Sequence, residues 1–150
     1  MGTGTSNIGL FSAGNTAPKA EFYVWGNVLM QFHYGSYTFN SFVIALNDII
    51  NISANEGTFT VENETSGAKT TAAYTFSGQT SQTATLFALH RSASQYTYCG
   101  KYRLFGAKID TLDFIPVRKG TVGYLYDRVS GKLFGNAGTG DFVLGPDVNT

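Results

Sequence analysis

Short apolar segments alternate with turns rich in glycine, asparagine and serine along most of the chain. Within the segments, apolar and polar residues alternate, for example over residues 28–34, where Met30 and Phe32 fall on one side and Gln31 and His33 on the other. A period of two places successive side chains on opposite faces of a strand, so the pattern predicts strands with one buried face. No window of about eleven or more residues combines a helical period with a capping signal, and we therefore predict almost no helix.

The pattern predicts many short strands joined by hairpin-like turns. The predicted strands cover residues 7–13, 20–25, 28–34, 39–46, 49–54, 58–64, 68–76, 84–89, 96–109 and 111–117, followed by shorter pieces at 122–126, 133–134 and 142–144. We expect residues 84–89 to form a central strand buried on both faces and residues 96–109 to form the longest extended segment. Short strands with hairpin turns at this spacing predict an all-β fold, an antiparallel two-sheet β-sandwich.

Length and composition agree with one folded β domain. A chain of 150 residues buries roughly two-thirds of the surface that its unfolded form exposes. Aromatic residues make up 15% of the chain, and together with abundant Gly, Thr, Ser and Asn they are typical of strands and turns. We predict a single sandwich domain over residues 7–148, preceded by a flexible segment at residues 1–6.

Charge and hydropathy exclude two classes of partner. Ten basic and ten acidic residues give a net charge of zero, so nothing attracts nucleic acid electrostatically. No apolar run approaches the length that spans a bilayer, and we predict no membrane insertion. The single cysteine, Cys99, cannot form an internal disulfide. We expect it to be buried and unreactive.

Glycoside hydrolysis would need two suitably separated carboxylates. Glu62 and Glu64 share one face of the predicted strand 58–64, but they lie at its end beside a turn, and we interpret them as a solvated face. Four further carboxylates stand mostly beside predicted turns: Asp110, Asp113, Asp127 and Asp141. Capping of turn N–H groups explains them, and a calcium site is the alternative. We predict a protein that is not an enzyme, with no catalytic residues, no metal and no cofactor.

Exposed aromatic residues are the strongest candidates for a binding function. Sugar rings stack their C–H faces on Trp and Tyr, while Arg, His and Asn bind the hydroxyl groups. The candidate carbohydrate-binding residues are Trp25, Tyr37, His90, Arg91, Tyr96 and Tyr98. The alternative for each one is packing in the core of the sandwich or against a neighbouring subunit.

Four segments in the C-terminal half carry a family resemblance: Gly100–Phe105, Asp113–Arg118, Val122–Asp127 and Gly135–Phe142. In their order and spacing the chain resembles the concanavalin A-like, laminin-G-like jelly-roll domains of bacteriophage and prophage structural proteins. The resemblance implies a concanavalin A-like jelly roll in a tail, fibre or capsid-surface component of a virion. It further implies a non-enzymatic structural or adhesion role, with recognition of carbohydrate on the host cell surface.

The resemblance also carries expectations about location and partners. It implies a virion protein that is made in the bacterial cytoplasm without a signal peptide. Members of the family usually have a further N-terminal strand block, whereas this chain starts almost at Asn7. We therefore expect an unpaired sheet edge near the N-terminus that another chain completes. This predicts a homo-oligomer, such as a trimer or a virion assembly, or contacts with other virion proteins.

Two other functions stay open at this point. The first alternative is a bacterial cell-surface glycan-binding module, which would use the same exposed aromatic residues. The second and more distant alternative is a glycoside hydrolase, which would use Glu62 and Glu64.

Overall fold

A computed structural model describes residues 7–13, 20–26, 29–55, 57–75, 83–92, 95–99 and 102–147. Within these ranges the fold is all-β, and every named pair of strands is antiparallel. The described residues form no helix, and therefore none that is long and apolar enough to cross a membrane. The chain divides into two compact units, Met1–Lys101 and Tyr102–Thr150.

The described residues of the N-terminal unit form ten strands. They are β1 (Ile8–Ala13), β2 (Ala20–Trp25), β3 (Leu29–Tyr34), β4 (Tyr37–Val43), β5 (Ile50–Asn55), β6 (Thr58–Asn63), β7 (Lys69–Ala73), β8 (Ala84–Leu86), β9 (Leu89–Ser92) and β10 (Gln95–Thr97). A five-stranded sheet has the order β4-β3-β2-β1-β8, a three-stranded sheet has the order β5-β6-β7, and β9 pairs with β10. Most neighbours in the chain are also neighbours in a sheet, as hairpin turns require.

An aromatic cluster joins the five-stranded and three-stranded sheets. Phe59 of β6 is fully buried, and its ring stacks on Phe32 of β3 with the centroids 4.6 Å apart. The rings of Phe22 and Phe39 also contact the Phe59 ring, with centroid separations of 5.8 and 4.9 Å. Because side chains alternate along a strand, Phe59 and Val61 face this layer together, as the sequence predicts. The apolar faces of the two sheets therefore pack on each other.

The predicted central strand over residues 84–89 is wrong. The chain bends at residues 87–88, and Phe87 has a left-handed φ of 67°. The bend divides the segment into β8, which lies at one edge of the five-stranded sheet, and β9, which pairs with β10 in another sheet. An apolar run shows that a segment is buried, but it does not show where the backbone turns.

The N-terminal strand is not the unpaired edge that we expected. β1 pairs with β2 along Ile8–Ala13 and with β8 along Phe11–Ala13, so it lies inside the five-stranded sheet. A further bridge joins Gly9 to Cys99. The predicted reason for oligomerisation at this edge is therefore absent, while the oligomer itself stays a prediction.

The described residues of the C-terminal unit form one antiparallel sheet. Its strands, in sheet order, are β11 (Ala107–Ile109), β12 (Leu112–Lys119), β13 (Val122–Asp127) and β14 (Leu133–Phe134). The predicted long segment 96–109 is wrong, because residues 102–106 have no regular structure between β10 and β11. The predicted strand at 142–144 is also absent. Instead, Phe142 and Leu144 pack over Gly123 of β13, where an added Cβ would lie 2.9 Å from Leu144 Cδ2.

The all-β, antiparallel character of the fold is confirmed for the described residues. The extent of a single domain over residues 7–148 stays a prediction, and the flexible segment predicted at residues 1–6 lies outside the described residues.

Candidate functional site

The five-stranded sheet has a second face, which points away from the aromatic core and is polar. Strand alternation places on it the residues that lie between the core positions of β2, β3 and β4. The backbone register sets Glu21 opposite His33 and Tyr23 opposite Gln31, and it continues from His33 to Thr38. We call this surface the polar face. Its residues are Glu21, Tyr23, Trp25, Gln31, His33 and Thr38.

His33 lies at the centre of the polar face and links three strands. Its Nε2 atom is 2.7 Å from the hydroxyl oxygen of Tyr23, and the two rings stack with centroids 5.2 Å apart. Its Nδ1 atom is 3.4 Å from Thr38 Oγ1, and Nε2 is 3.5 Å from Gln31 Oε1. Since β2, β3 and β4 each supply a contact, the backbone register holds this imidazole in one orientation.

Glu21 places a carboxylate beneath the polar face. The residue is only 2% exposed, and it lies directly across the β2–β3 register from His33. Cβ atoms of directly opposed residues are about 4.5–5.5 Å apart, which is close enough for their side chains to interact. A buried carboxylate is costly unless it has hydrogen-bonding or charged neighbours.

Trp25 supplies an exposed aromatic surface at one end of the polar face. It follows Tyr23 by two residues on β2, and its side chain is 51% exposed. Val43, in the same cross-strand row, is 71% exposed. The sheet therefore presents exposed apolar side chains at this end. Further along the same face Tyr23 and Gln31 are buried, His33 is half-buried and Thr38 is exposed. Carbohydrate sites combine apolar and hydrogen-bonding side chains, because a sugar has apolar C–H faces and polar edges.

Tyr98 borders the polar face on the side of β1. Its ring centroid is 6.0 Å from that of Tyr23, and its carbonyl oxygen accepts a 2.6 Å hydrogen bond from the Gly9 amide. A Cβ added at Gly9 would lie 2.9 Å from both Leu89 N and Tyr98 O. The missing side chain at Gly9 therefore lets the segment around β9 and β10 approach β1 closely.

Two of the predicted binding residues, Trp25 and Tyr98, lie near Tyr23 of the polar face, while a third lies on the opposite side of the sheet. Tyr37 instead contacts Tyr74 on the core side, with centroids 5.8 Å apart, where burial raises the pKa of Tyr74 above its usual value. An open depression of about 490 Å³ lies there, lined by Tyr34, Gly35, Ser36, Tyr37 and Thr75.

The other predicted binding residues lie on β9 and β10. His90 is buried, and its backbone N–H donates a 2.8 Å hydrogen bond to Ser12 Oγ. The side chains of Arg91 and Tyr96 lie outside the described residues. Cys99, which we expected to be buried, is exposed. Cys99 directly follows Tyr98, whose carbonyl oxygen is bonded to Gly9 of β1, and its side chain lies at the surface.

The carboxylates considered for hydrolysis lie away from the polar face, on the three-stranded sheet and the turn that follows β6. Glu62 forms a 2.9 Å ion pair with Lys69, and Glu64 accepts a 2.5 Å hydrogen bond from Asn51 Nδ2. Glu64 is exposed and Glu62 is half-buried. Both carboxylates are thus engaged by neighbouring strands at a solvated surface.

Among the described carboxylates, Asp127 has the most strongly shifted pKa. It is buried at the end of β13 and accepts hydrogen bonds from the Ser130 hydroxyl at 2.5 Å and from the Asp113 amide at 2.9 Å. These bonds, with two from the turn amides of Val129 and Ser130, lower the pKa of Asp127 to about 2. The geometry is that of a turn cap. Among the described residues, no group of three or more His, Cys, Asp or Glu side chains could hold a metal ion.

Comparison of the chain with protein-family models, with curated proteins and with solved structures gave no match. The polar face is therefore interpreted from its own geometry.

The residues that complete the site around Trp25 were missed in the sequence. Strand alternation could have assigned three of them to this face. A period of two places Tyr23 on the same side of β2 as Trp25, and it places Gln31 and His33 on the side of β3 opposite the apolar positions. The turn between β2 and β3 then brings both rows to one face. The burial of Glu21 carries no such signal, since strand alternation does not show which polar positions are covered.

Proposed function

We propose that this protein is a non-enzymatic adhesion domain that binds carbohydrate on the polar face of its five-stranded sheet. The observation that carries the proposal is the half-exposed indole of Trp25 on the same face of the sheet as the half-buried His33 and the exposed Thr38. An indole stacks on the C–H face of a pyranose, and the polar groups supply donors and acceptors for its hydroxyls.

The resemblance to bacteriophage structural proteins supports a more specific version of this proposal. In that version the fold is a concanavalin A-like jelly roll, and the protein is a tail, fibre or capsid-surface component that attaches the virion to a host glycan. An assembly of several copies would strengthen attachment, because linked binding sites raise the effective concentration of ligand. Virion genes beside the gene for this chain would support the viral context, and their absence would favour a bacterial surface module.

A glycan array of the full chain tests the binding proposal. We expect selective binding that falls by about tenfold or more in Trp25→Ala, the change expected when one stacking contact of about 1.4 kcal/mol is lost. Phe105→Ala is a matched control, since Phe105 is a similarly exposed aromatic residue, at 54%, in the C-terminal unit. Equal binding by Trp25→Ala and by the unsubstituted chain would contradict the assignment of the site.

A further inference from the structure

The three-stranded sheet has an open edge at β5, which pairs with β6 on one side and with no described strand on the other. In an antiparallel pair, residues that exchange backbone hydrogen bonds alternate with residues that do not. The Glu64 amide donates a 2.9 Å hydrogen bond to the Ile49 carbonyl, and this fixes the phase of the alternation. The N–H and C=O groups of Ile50, Ile52 and Ala54 therefore point away from β6, toward the open edge.

The other sheet edges carry features that discourage pairing. Natural edge strands are protected by short length, by interrupted register or by charged residues, above all lysine. Among the described strands, β8, β10, β11 and β14 have three residues or fewer, β9 has four and contains Arg91, β7 contains Lys69, and the register of β4 with β3 is interrupted. β5 has six residues, an unbroken register with β6 and no charged residue or proline, and its nearest charged neighbours in sequence, Asp48 and Glu56, lie beyond its ends. It is therefore the edge best suited to pair with another strand.

β5 is complementary to a second copy of itself. If two copies run antiparallel with Ile52 opposite Ile52, then Ile50 of each copy lies opposite Ala54 of the other. These pairs form six hydrogen bonds, one for each N–H of the three outward residues in the two strands. Ile50 and Ile52, which are half-buried against the core, continue its apolar face across the junction, and Asn51 lies opposite Ser53 on the polar outer face. No like charges meet within the paired strands.

We propose that two copies of this chain associate through β5 as an antiparallel pair with two-fold symmetry. Addition of a strand to an open edge is a common mode of recognition, and a two-fold axis requires one surface to serve both copies, as β5 does. The two three-stranded sheets then form one continuous sheet with the order β7-β6-β5-β5-β6-β7. Because β5 lies outside the polar face, this inference is independent of the proposed carbohydrate binding.

Analytical ultracentrifugation of the full chain tests the association. We expect the mass to approach twice the 16.2 kDa of one chain as the concentration rises from about 1 to about 200 μM, since an interface of two short strands is small. Ala54→Pro removes the outward N–H of an exposed residue, and with it two of the six intermolecular hydrogen bonds, while every hydrogen bond between β5 and β6 stays. Its dimer dissociation constant should rise by about tenfold or more.

Ala73→Pro is the matched control at the opposite edge of the same sheet. The Tyr74 amide donates a 2.8 Å hydrogen bond to the Gly57 carbonyl, so the amide of Ala73 points away from β6 and the substitution again removes an outward N–H. Ala73 is also exposed, and this variant should associate like the unsubstituted chain. A mass of 16.2 kDa at every concentration, or equal effects of the two proline substitutions, would overturn the proposal.

Cysteine cross-linking tests the register with substitutions that leave every backbone N–H in place. Asn51 of one copy and Ser53 of the other form a non-hydrogen-bonded pair, whose Cα atoms would be about 4.5 Å apart, within the range of a disulfide. Chains with Asn51→Cys and chains with Ser53→Cys, each also carrying Cys99→Ser, should therefore give a disulfide-linked dimer when they are mixed and oxidised. Either variant alone should give about tenfold less, because identical positions are diagonal neighbours about 7–8 Å apart. No cross-linked dimer in the mixture, or equal amounts in the mixture and in one variant alone, would contradict the proposed pairing.

Discussion

Replacement of Phe59 by alanine tests how the N-terminal unit is held together. Phe59 is fully buried at the centre of the layer between the five-stranded and three-stranded sheets. Its ring contacts Phe22, Phe32 and Phe39, with centroid separations of 5.8, 4.6 and 4.9 Å. The substitution removes the whole ring and leaves a cavity that rigid strand backbones on both sides cannot close.

The expected loss is large relative to the stability of a domain. Truncation of a buried Phe to Ala costs about 3–5 kcal/mol, which includes lost burial, lost ring contacts and the remaining cavity. Phe59 should lie near the middle of this range, at about 4 kcal/mol, because it is fully buried and has three aromatic neighbours. Since the free energy of unfolding of a domain is about 5–15 kcal/mol in total, the variant should be folded but much less stable.

Urea unfolding measures this loss, with the emission of the single tryptophan as the probe. A loss of about 4 kcal/mol lowers the urea midpoint by about 2–3 M for an m value of about 1.5–2 kcal/mol/M. Thr60→Ala is the matched control on the same strand, where it removes only a 3.0 Å hydroxyl contact with Thr71. That control should lose about 1 kcal/mol or less. If the two variants lost similar amounts, the packing of the two sheets on each other would be refuted.

Three further predictions concern the turn of the C-terminal unit, the crossing at β1 and the centre of the polar face. Because the pKa of Asp127 is about 2 in the folded chain and about 3.9 in an unfolded one, its stabilising effect is complete above the unfolded value and is lost as the pH falls toward 2. Urea unfolding followed by circular dichroism should therefore show that the free energy of unfolding falls less between pH 6 and pH 2 in Asp127→Asn than in the unsubstituted chain. NMR titration should show a higher pKa of Asp127 in Ser130→Ala. Gly9→Ala should lower the free energy of unfolding by about 1–3 kcal/mol in thermal denaturation, because its Cβ meets backbone atoms. Tyr23→Phe removes the 2.7 Å hydrogen bond to His33 and should cost about 1–2 kcal/mol in the same assay.

Each of these predictions has a result that contradicts it. If the free energy of unfolding fell by the same amount between pH 6 and pH 2 in Asp127→Asn, groups other than Asp127 would be the cause. A thermal midpoint unchanged in Gly9→Ala would show that the segment around Tyr98 does not lie against β1. An unchanged midpoint in Tyr23→Phe would show that the contact with His33 contributes nothing to stability.

The strands and their faces could be predicted from the sequence wherever one face packs on the core. In β3 and β6 the two-residue period assigns Met30, Phe32, Phe59 and Val61 to the buried side, and the structure places them there. The period is informative because only one face of each strand is apolar. The same period places Gln31 and His33 on the opposite face of β3, so these two positions could have been assigned to the candidate site from the sequence.

Two of the errors arise in segments where residues other than glycine adopt left-handed φ values. Phe87, Tyr98 and Asp110 all adopt left-handed φ values, of 67°, 54° and 54°. Such values are uncommon for residues other than glycine, and tertiary contacts must hold them in place. The segments 84–89 and 96–109 therefore resemble continuous strands in sequence, although the chain changes direction within or beside each of them.

The most direct test of the central claim uses Trp25 itself, because it is the only tryptophan in the chain and forms the exposed platform of the polar face. Intrinsic fluorescence of the full chain is titrated with the saccharide that binds most tightly on the array, and acrylamide quenching is measured with and without that saccharide. The account predicts a saturable change in emission and a lower quenching constant when the ligand is bound, since a stacked sugar covers the indole. Saccharide binding that leaves both the emission and the quenching of Trp25 unchanged would contradict it.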